Sequence, residues 1–261
     1  MKIYQVDAFT DKVFRGNPAA VVPLQSWLEE ELMQKIALEN NLSETAFIVK
    51  TDEGYHIRWF TPEKEIDLCG HATLASAYVI KNFLEPHLQE VLFTTQVAGE
   101  LKTYIKDGLY TLDFPARMPE PCNTPANLLQ SLGVDTVVEV LRSRDFLVVL
   151  PDEEAVLQLE PDFSLMKTLE GFGLIVTAKG RSADVVSRCF YPNAGIDEDP
   201  VTGSAHCSII PYWSRKLGTE KLFAKQLSRR GGDLWCELAG DRVLLSGNCV
   251  LYLQGDISWE E

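Results

Sequence analysis

A short motif occurs twice in this chain. Arg58-Trp59-Phe60-Thr61-Pro62 returns as Arg188-Cys189-Phe190-Tyr191-Pro192, an R-x-F-x-P pattern spaced by half of the 261 residues. Each copy leads into acidic residues and then a glycine that opens a run of small side chains. The first has Glu63, Glu65 and Asp67 before Gly70-His71-Ala72-Thr73; the second has Asp197, Glu198 and Asp199 before Gly203-Ser204-Ala205-His206. So short a motif can recur by coincidence, but motif and context repeated together at half the length read as two similar halves, each with its own core. The stretch 115–125, with Pro119 and Pro121, reads as the linker. It divides the chain into residues 1–115 and 116–261, with the last strand free to return to the first half.

Apolar patterning predicts strands at 2–9, 19–24, 45–50 and 55–60 in the first half. Ser26-Trp27-Leu28-Glu29 reads as a capping box opening a helix that carries Leu28, Leu32 and Ile36 and stops at Asn40-Asn41. A second helix is expected over 71–83, and Asp107-Gly108 marks a hairpin between strands at 102–105 and 109–114. The second half is read as strands at 146–150, 174–178 and 185–191, a helix from 203 to 217, and strands at 233–238 and 242–253. Tight hairpins cannot be parallel crossovers, so the fold class is α/β with mixed sheets.

Composition narrows the partners. With 24 Lys+Arg against 38 Asp+Glu, a net charge of -14, the chain lacks the basic surface that nucleic acid needs. No apolar run approaches the roughly 18 residues of a membrane span, and Asp7 and Asp11 break any signal-like start. The six cysteines form no C-x-x-C pair, which fits buried thiols in a reducing, cytoplasmic setting.

Chemistry can gather at the two glycine-led helix starts, where free amides suit a carboxylate. Tight helix packing explains either turn taken alone. His71 lies in the first turn and can hold or donate a proton near neutral pH, although a lone histidine is ordinarily a satisfied surface or core residue. Cys69 precedes Gly70, where packing is the plainer role. The matching turn shows Asp199 and Pro200 rather than a second thiol. Asp197-Glu198-Asp199 reads as a solvated loop sooner than a cation site, and no H-x-x-x-H pair exists, so no metal is expected. Glu44 opens an apolar strand on the face of Ala46 and Ile48. Desolvated there, it would have a raised pKa and serve as a proton shuttle; exposed, it would be an ordinary strand-start glutamate.

Five segments in order resemble the phenazine-biosynthesis PhzF-like family, which has the diaminopimelate-epimerase fold. They are Asp7-Ala8-Phe9-Thr10, Gly16-Asn17-Pro18-Ala19-Ala20-Val21, Asn41-Leu42-Ser43-Glu44-Thr45, Cys69-Gly70-His71-Ala72-Thr73 and Asp199-Pro200-Val201-Thr202-Gly203-Ser204-Ala205. The resemblance implies two halves, each a curled mixed sheet around a central helix, with the active site between them and helices beginning at Gly70 and Gly203. It implies cofactor-free isomerisation of a small carboxylate, with Glu44 as the acid/base, and His71 and Asp199 as its catalytic partners. Asn17, Gly70, Gly203 and Ser204 then fall beside the substrate, and a homodimer is expected. A racemase or epimerase of an amino or hydroxy acid, and a non-catalytic metabolite-binding protein, are the alternatives. Nothing marks the chain as a phenazine enzyme.

Overall fold

In the computed structural model, which describes residues 1–171 and 173–259, the chain divides into two compact units. One is Met1–Asp113 with Ser246–Glu261; the other is Phe114–Leu245. The first runs β1 (Lys2–Ala8), β2 (Asn17–Leu24), α1 (Glu30–Asn40), β3 (Glu44–Lys50), β4 (Tyr55–Phe60), β5 (Glu65–Ile66), α2 (Gly70–Val79), β6 (Glu90–Thr94), β7 (Glu100–Lys106) and β8 (Leu109–Pro115). The second runs β9 (Glu120–Pro121), α3 (Leu128–Leu132), β10 (Glu139–Arg142), β11 (Phe146–Val149), α4 (Glu153–Leu157), α5 (Phe163–Met166), β12 (Leu174–Lys179) and β13 (Val185–Tyr191). It continues through β14 (Ile196–Asp199), α6 (Gly203–Leu217), β15 (Lys221–Gln226), β16 (Gly232–Ala239) and β17 (Arg242–Gly247). The last strand, β18 (Cys249–Asp256), lies antiparallel to β1 in the first unit.

The fold is mixed α/β, and its pairing order occurs twice. In the first unit β1 is antiparallel to β2, β2 parallel to β3, β3 antiparallel to β4, β4 parallel to β6 and β6 antiparallel to β7. In the second, β10, β11, β12, β13, β15 and β16 repeat that sequence of directions. The R-x-F-x-P motif has a physical job in both. Arg58 Nε and Nη2 hold the two carboxylate oxygens of Glu65 at 2.7 and 2.6 Å; Arg188 holds Glu198 in the same two-pronged way at 2.7 and 3.0 Å. Each guanidinium also lies 5.2 Å from the centroid of the motif's own phenylalanine, Phe60 or Phe190. The clip ties a long strand to the short one that leads to the helix start.

Each unit carries one helix buried almost all round, as an element inside a curled sheet must be. In α2, His71 through Ala77 and Val79 are buried, and the helix packs on β1, β2 and β3. In α6, Ala205 through Ser214 are buried, and the helix packs on β15 and β16. On the other face of the first sheet, Met33, Ile36 and Ala37 of α1 pack with Val22, Phe47 and Phe60. In the second unit Leu128, Val148, Val156, Met166, Val176 and Phe190 form a core with the short helices.

Three local readings are corrected. Ser26 makes no capping box: α1 begins at Glu30 with Glu29 at its N-cap and no side-chain cap, so Leu28 precedes the helix. The expected strand over 242–253 is two strands, β17 and β18, that separate at Asn248. The helix from Gly70 ends at Val79 and passes into a π-helical turn, Ile80–Leu84. The Asp107-Gly108 turn is as read, with φ of 52° and 80°.

The Arg–Glu clip predicts a stability effect. Arg58→Met leaves Glu65 without its partner and lowers the unfolding free energy by about 2–3 kcal/mol, and lysine recovers at most half because it cannot grip both oxygens. Urea unfolding of the two variants checks this; an unchanged midpoint for Arg58→Met contradicts it.

Candidate active site

Strand parity puts Glu44 where it can act. Successive side chains of β3 alternate between faces, and Phe47 is in the α1 core. Glu44, Ala46 and Ile48 therefore face the other way, toward α2. Glu44 is only 6% exposed and His71, the second residue of α2, 5%. Glu44 Oε2 stands 2.9 Å from His71 Nε2. The approach is off the hydrogen-bond axis, and neither atom has a hydrogen-bonding partner among the described residues. Two buried polar atoms are thus paired by charge yet keep hydrogen-bonding capacity for a third group.

The opposite ring nitrogen is held too. Asn17, at the start of β2, places its side-chain amide 3.1 Å from His71 Nδ1, and the Cys69 sulfur is 3.5 Å away. An amide can give its oxygen to an imidazolium N–H or its NH2 to a bare nitrogen, so Asn17 serves both charge states of the ring. A tightly wound connection delivers Asn17. Phe9, Phe14 and Gly16 have φ of 61°, 69° and 63°, and the buried Asp7 carboxylate accepts the Phe14 N–H at 2.8 Å. Gly16 must be glycine, since a Cβ there would lie 2.1 Å from the Ala8 carbonyl oxygen. Asp7, Phe9 and Gly16 build the loop, and Asn17 is what it presents.

Burial works against a charge on His71, but the facing Glu44 carboxylate outweighs it and raises its pKa well above the usual imidazole range. Burial and the neighbouring Glu44 push the Cys69 thiol up to about 11, so the sulfur stays protonated and is no nucleophile at neutral pH. Glu44, Cys69 and His71 offer three ligand atoms within 4.8 Å of one another. Glu44, however, faces Nε2 while Cys69 and Asn17 stand at Nδ1, so the three do not converge on one ion. Asp197-Glu198-Asp199 does not converge either: Glu198 is taken by Arg188, Asp199 is buried and Asp197 is exposed.

In the second unit, Asp199, Gly203 and Ser204 surround the start of α6. The Thr202 hydroxyl donates to Asp199 Oδ2 at 2.5 Å, and Arg144 Nη2 donates to the Ser204 oxygen at 3.2 Å. Arginine can only donate, so the Ser204 proton is left to give to another acceptor. The repeat shows what this unit does not carry. Cys69 and Thr202 are the N-caps of α2 and α6, and His71 matches Ser204. The counterpart of Cys69 is therefore Thr202 rather than Asp199 or Pro200. Arg58 lies opposite Phe47 and Arg188 opposite Val176, so three residues earlier Glu44 matches Gly173. A Cβ at Gly173 would meet the Tyr191 ring at 2.1 Å. The second unit has glycine, threonine and serine where the first has glutamate, cysteine and histidine.

Sequence reasoning missed Arg144 and Gln226. Arg144-Asp145, a charged pair between two apolar strands, was a visible signal. Gln226, fully buried and bonded to Asp199 and Thr202, gave none.

His206, four residues after Thr202, is fully buried and gives Nδ1 to the Thr202 carbonyl at 2.8 Å. Burial lowers its pKa to about 4. Below pH 6.5 the unfolded chain gains a proton that the folded one refuses, so stability falls as pH drops toward 4, by roughly 3 kcal/mol for this group. His206→Asn keeps the donor without the titration and loses that much less between pH 6.5 and 4, read by urea unfolding. The raised His71 has the opposite sign. Its stabilisation is complete below about pH 6.5 and is lost as pH rises through its folded value.

Comparison with known proteins gives the chain its family. An "uncharacterized isomerase" of Pseudomonas aeruginosa is 50% identical over 98% of this chain and 98% of its own. One of Halalkalibacterium halodurans is 43% identical over 98% of this chain and 97% of its own. A crystal structure of a phenazine biosynthesis protein of the PhzF family from Enterococcus faecalis superposes with a TM-score of 0.96 at 49% identity, covering 99% of both chains. Relatives so named, at such identity over nearly the whole chain, make the protein an isomerase; their names state no substrate. No helix among the described residues is long and apolar enough to cross a membrane. The family model described as phenazine biosynthesis-like protein, PhzC-PhzF, matches residues 6–255, and the chain belongs to that family.

Proposed function

We propose that the protein is a cofactor-independent isomerase of a small carboxylate metabolite, in which Glu44 takes a proton from one substrate carbon and returns it to another. The observation that carries this reading is the buried Glu44–His71 pair with hydrogen-bonding capacity left over on both facing atoms. As the carboxylate of Glu44 accepts the C–H proton, the bonding electrons pass into the conjugated acid. The Gly70 end of α2 offers backbone amides to that developing charge. His71 keeps a positive charge beside Glu44 while it is ionised and a donor toward the substrate when it is not. Glu44 then gives its proton to the second carbon, so base and substrate end with the protons they began with. Dry walls keep the carried proton from exchanging with water. In this reading Asn17 orients His71, and Asp199, Gly203 and Ser204 contact the substrate.

The racemase reading needs a base for each face of a stereocentre. The structure argues against the two-thiol form of it, because Cys69 is a protonated, buried thiol and its repeat counterpart is Thr202. The position matching Glu44 is Gly173, filled by a tyrosine ring. One acid/base fits one proton carried between carbons.

The test is a panel of unsaturated carboxylic acids incubated in heavy water and followed by proton NMR. For an acid that the wild type isomerises, Glu44→Gln lowers the rate about a thousandfold, whereas Cys69→Ser stays within about threefold. Isomerisation by Glu44→Gln at the wild-type rate refutes the assignment. Inversion at a stereocentre that is lost in Cys69→Ser favours the racemase instead.

A further inference from the structure

Gln226 is the last residue of β15, and it is fully buried. Its one side-chain amide holds both ends of the turn Asp199-Pro200-Val201-Thr202. Oε1 accepts the Thr202 N–H at 2.8 Å, and Nε2 donates to the Asp199 carbonyl oxygen at 2.7 Å. Nε2 also reaches the Thr202 hydroxyl oxygen at 3.3 Å. The amide group is the one side chain that can do this, since it joins an acceptor and a two-proton donor on one carbon. Glutamate lacks the donor and methionine lacks both.

The last of these contacts has a direction. An amide NH2 only donates, so the Thr202 oxygen accepts from it. The single hydroxyl proton of Thr202 is then turned to Asp199 Oδ2 at 2.5 Å, a stronger acceptor than the neighbouring Cys189 sulfur. Gln226, Thr202 and Asp199 form a line of donors ending on a carboxylate oxygen, with residue exposures of 0%, 6% and 8%. Cys189 lies opposite Asp199 on β13, and Tyr191, Asp145, Glu198 and Arg144 share its surroundings. Among these groups, the short donor bond out of water is the contact that favours the ionised acid over the protonated one. Ser228 supports the turn from outside, its hydroxyl donating to the Pro200 carbonyl at 2.7 Å, but it does not touch the carboxylate.

We propose that Gln226 is a positioning residue that, acting through the Thr202 hydroxyl, holds Asp199 as an ionised hydrogen-bond acceptor. The consequence for binding rests on the reading above that Asp199 contacts substrate: the substrate group meeting it is a donor, a hydroxyl or an amine, rather than a second carboxylate. The relay itself is independent of that reading.

The experiment is a carbon-13 NMR titration of the Asp199 side-chain carboxyl in the full chain, with aspartate labelled and the resonance assigned through Asp199→Asn. In Gln226→Met the proton affinity of Asp199 rises roughly tenfold, because the Thr202 hydroxyl is no longer held turned toward the charged oxygen. Thr202→Val gives a rise of the same size, Thr202→Ser restores the wild-type curve, and Gln226→Met with Thr202→Val together add nothing further. A role confined to bracing the turn predicts something else: lower melting temperatures with the Asp199 titration unmoved in Gln226→Met and Thr202→Val. That result overturns the proposal. If Gln226→Met does not fold, the Thr202→Val and Thr202→Ser pair decides alone. None of these curves depends on turnover, so failure of the isomerase reading would leave them standing, and the reverse also holds.

Discussion

A carboxylate and an imidazole at 2.9 Å, both nearly out of water, are the constraint that the first unit is built to meet. Either group alone would carry a large desolvation cost. Together they offset it, and the surrounding structure maintains the pairing. Strand alternation sends Glu44 toward α2 while Phe47 faces α1. The small residues of α2 bring its first turn close to the sheet. The connection from Phe9 to Gly16, with two phenylalanines in the left-handed region, delivers Asn17 to the far side of the ring. Strain of that kind persists where the neighbours over-determine it, and here Asp7 and the Gly16 close approach do so.

The duplicated frame separates architecture from chemistry. Both units use the same order of strand directions and the same Arg–Glu clip under a phenylalanine, and in both a helix start follows the clip. The position four after each N-cap also donates to the N-cap carbonyl, Thr73 to Cys69 and His206 to Thr202. The reactive positions differ. Glycine and a tyrosine ring stand in the second unit where the glutamate stands in the first. The second unit instead has its own acid, Asp199, braced by Thr202 and Gln226. The same frame is equipped differently in the two units.

Much of the frame was legible because its signals are local. The R-x-F-x-P echo, the glycines that open α2 and α6, and the Asp107-Gly108 turn each act through neighbours in the chain. Ser26 misled for the converse reason: a capping box is a pattern that several residues can satisfy, and the helix began at Glu30 instead. The break at Asn248 was hidden because β17 and β18 are both strand-like, and only pairing with β1 distinguishes them. The site was legible only through the family motifs. Whether Glu44 is buried depends on α2 covering its face of β3, which no periodicity in 44–50 reports. Gln226 lies 24 residues beyond Thr202 with nothing in its surroundings to mark it. The tertiary contacts that make these residues matter are absent from the linear pattern.

The charge state of His71 reports whether the buried pair with Glu44 exists in solution. Nitrogen-15 NMR of the histidine side chains, with His71 assigned through His71→Asn, reports protonation at each ring nitrogen without any substrate. The expected ring is an imidazolium that loses its proton only well above pH 6.5, with a fall toward the ordinary range in Glu44→Gln. A ring that is neutral at pH 6.5, and unmoved by that substitution, would contradict the pairing.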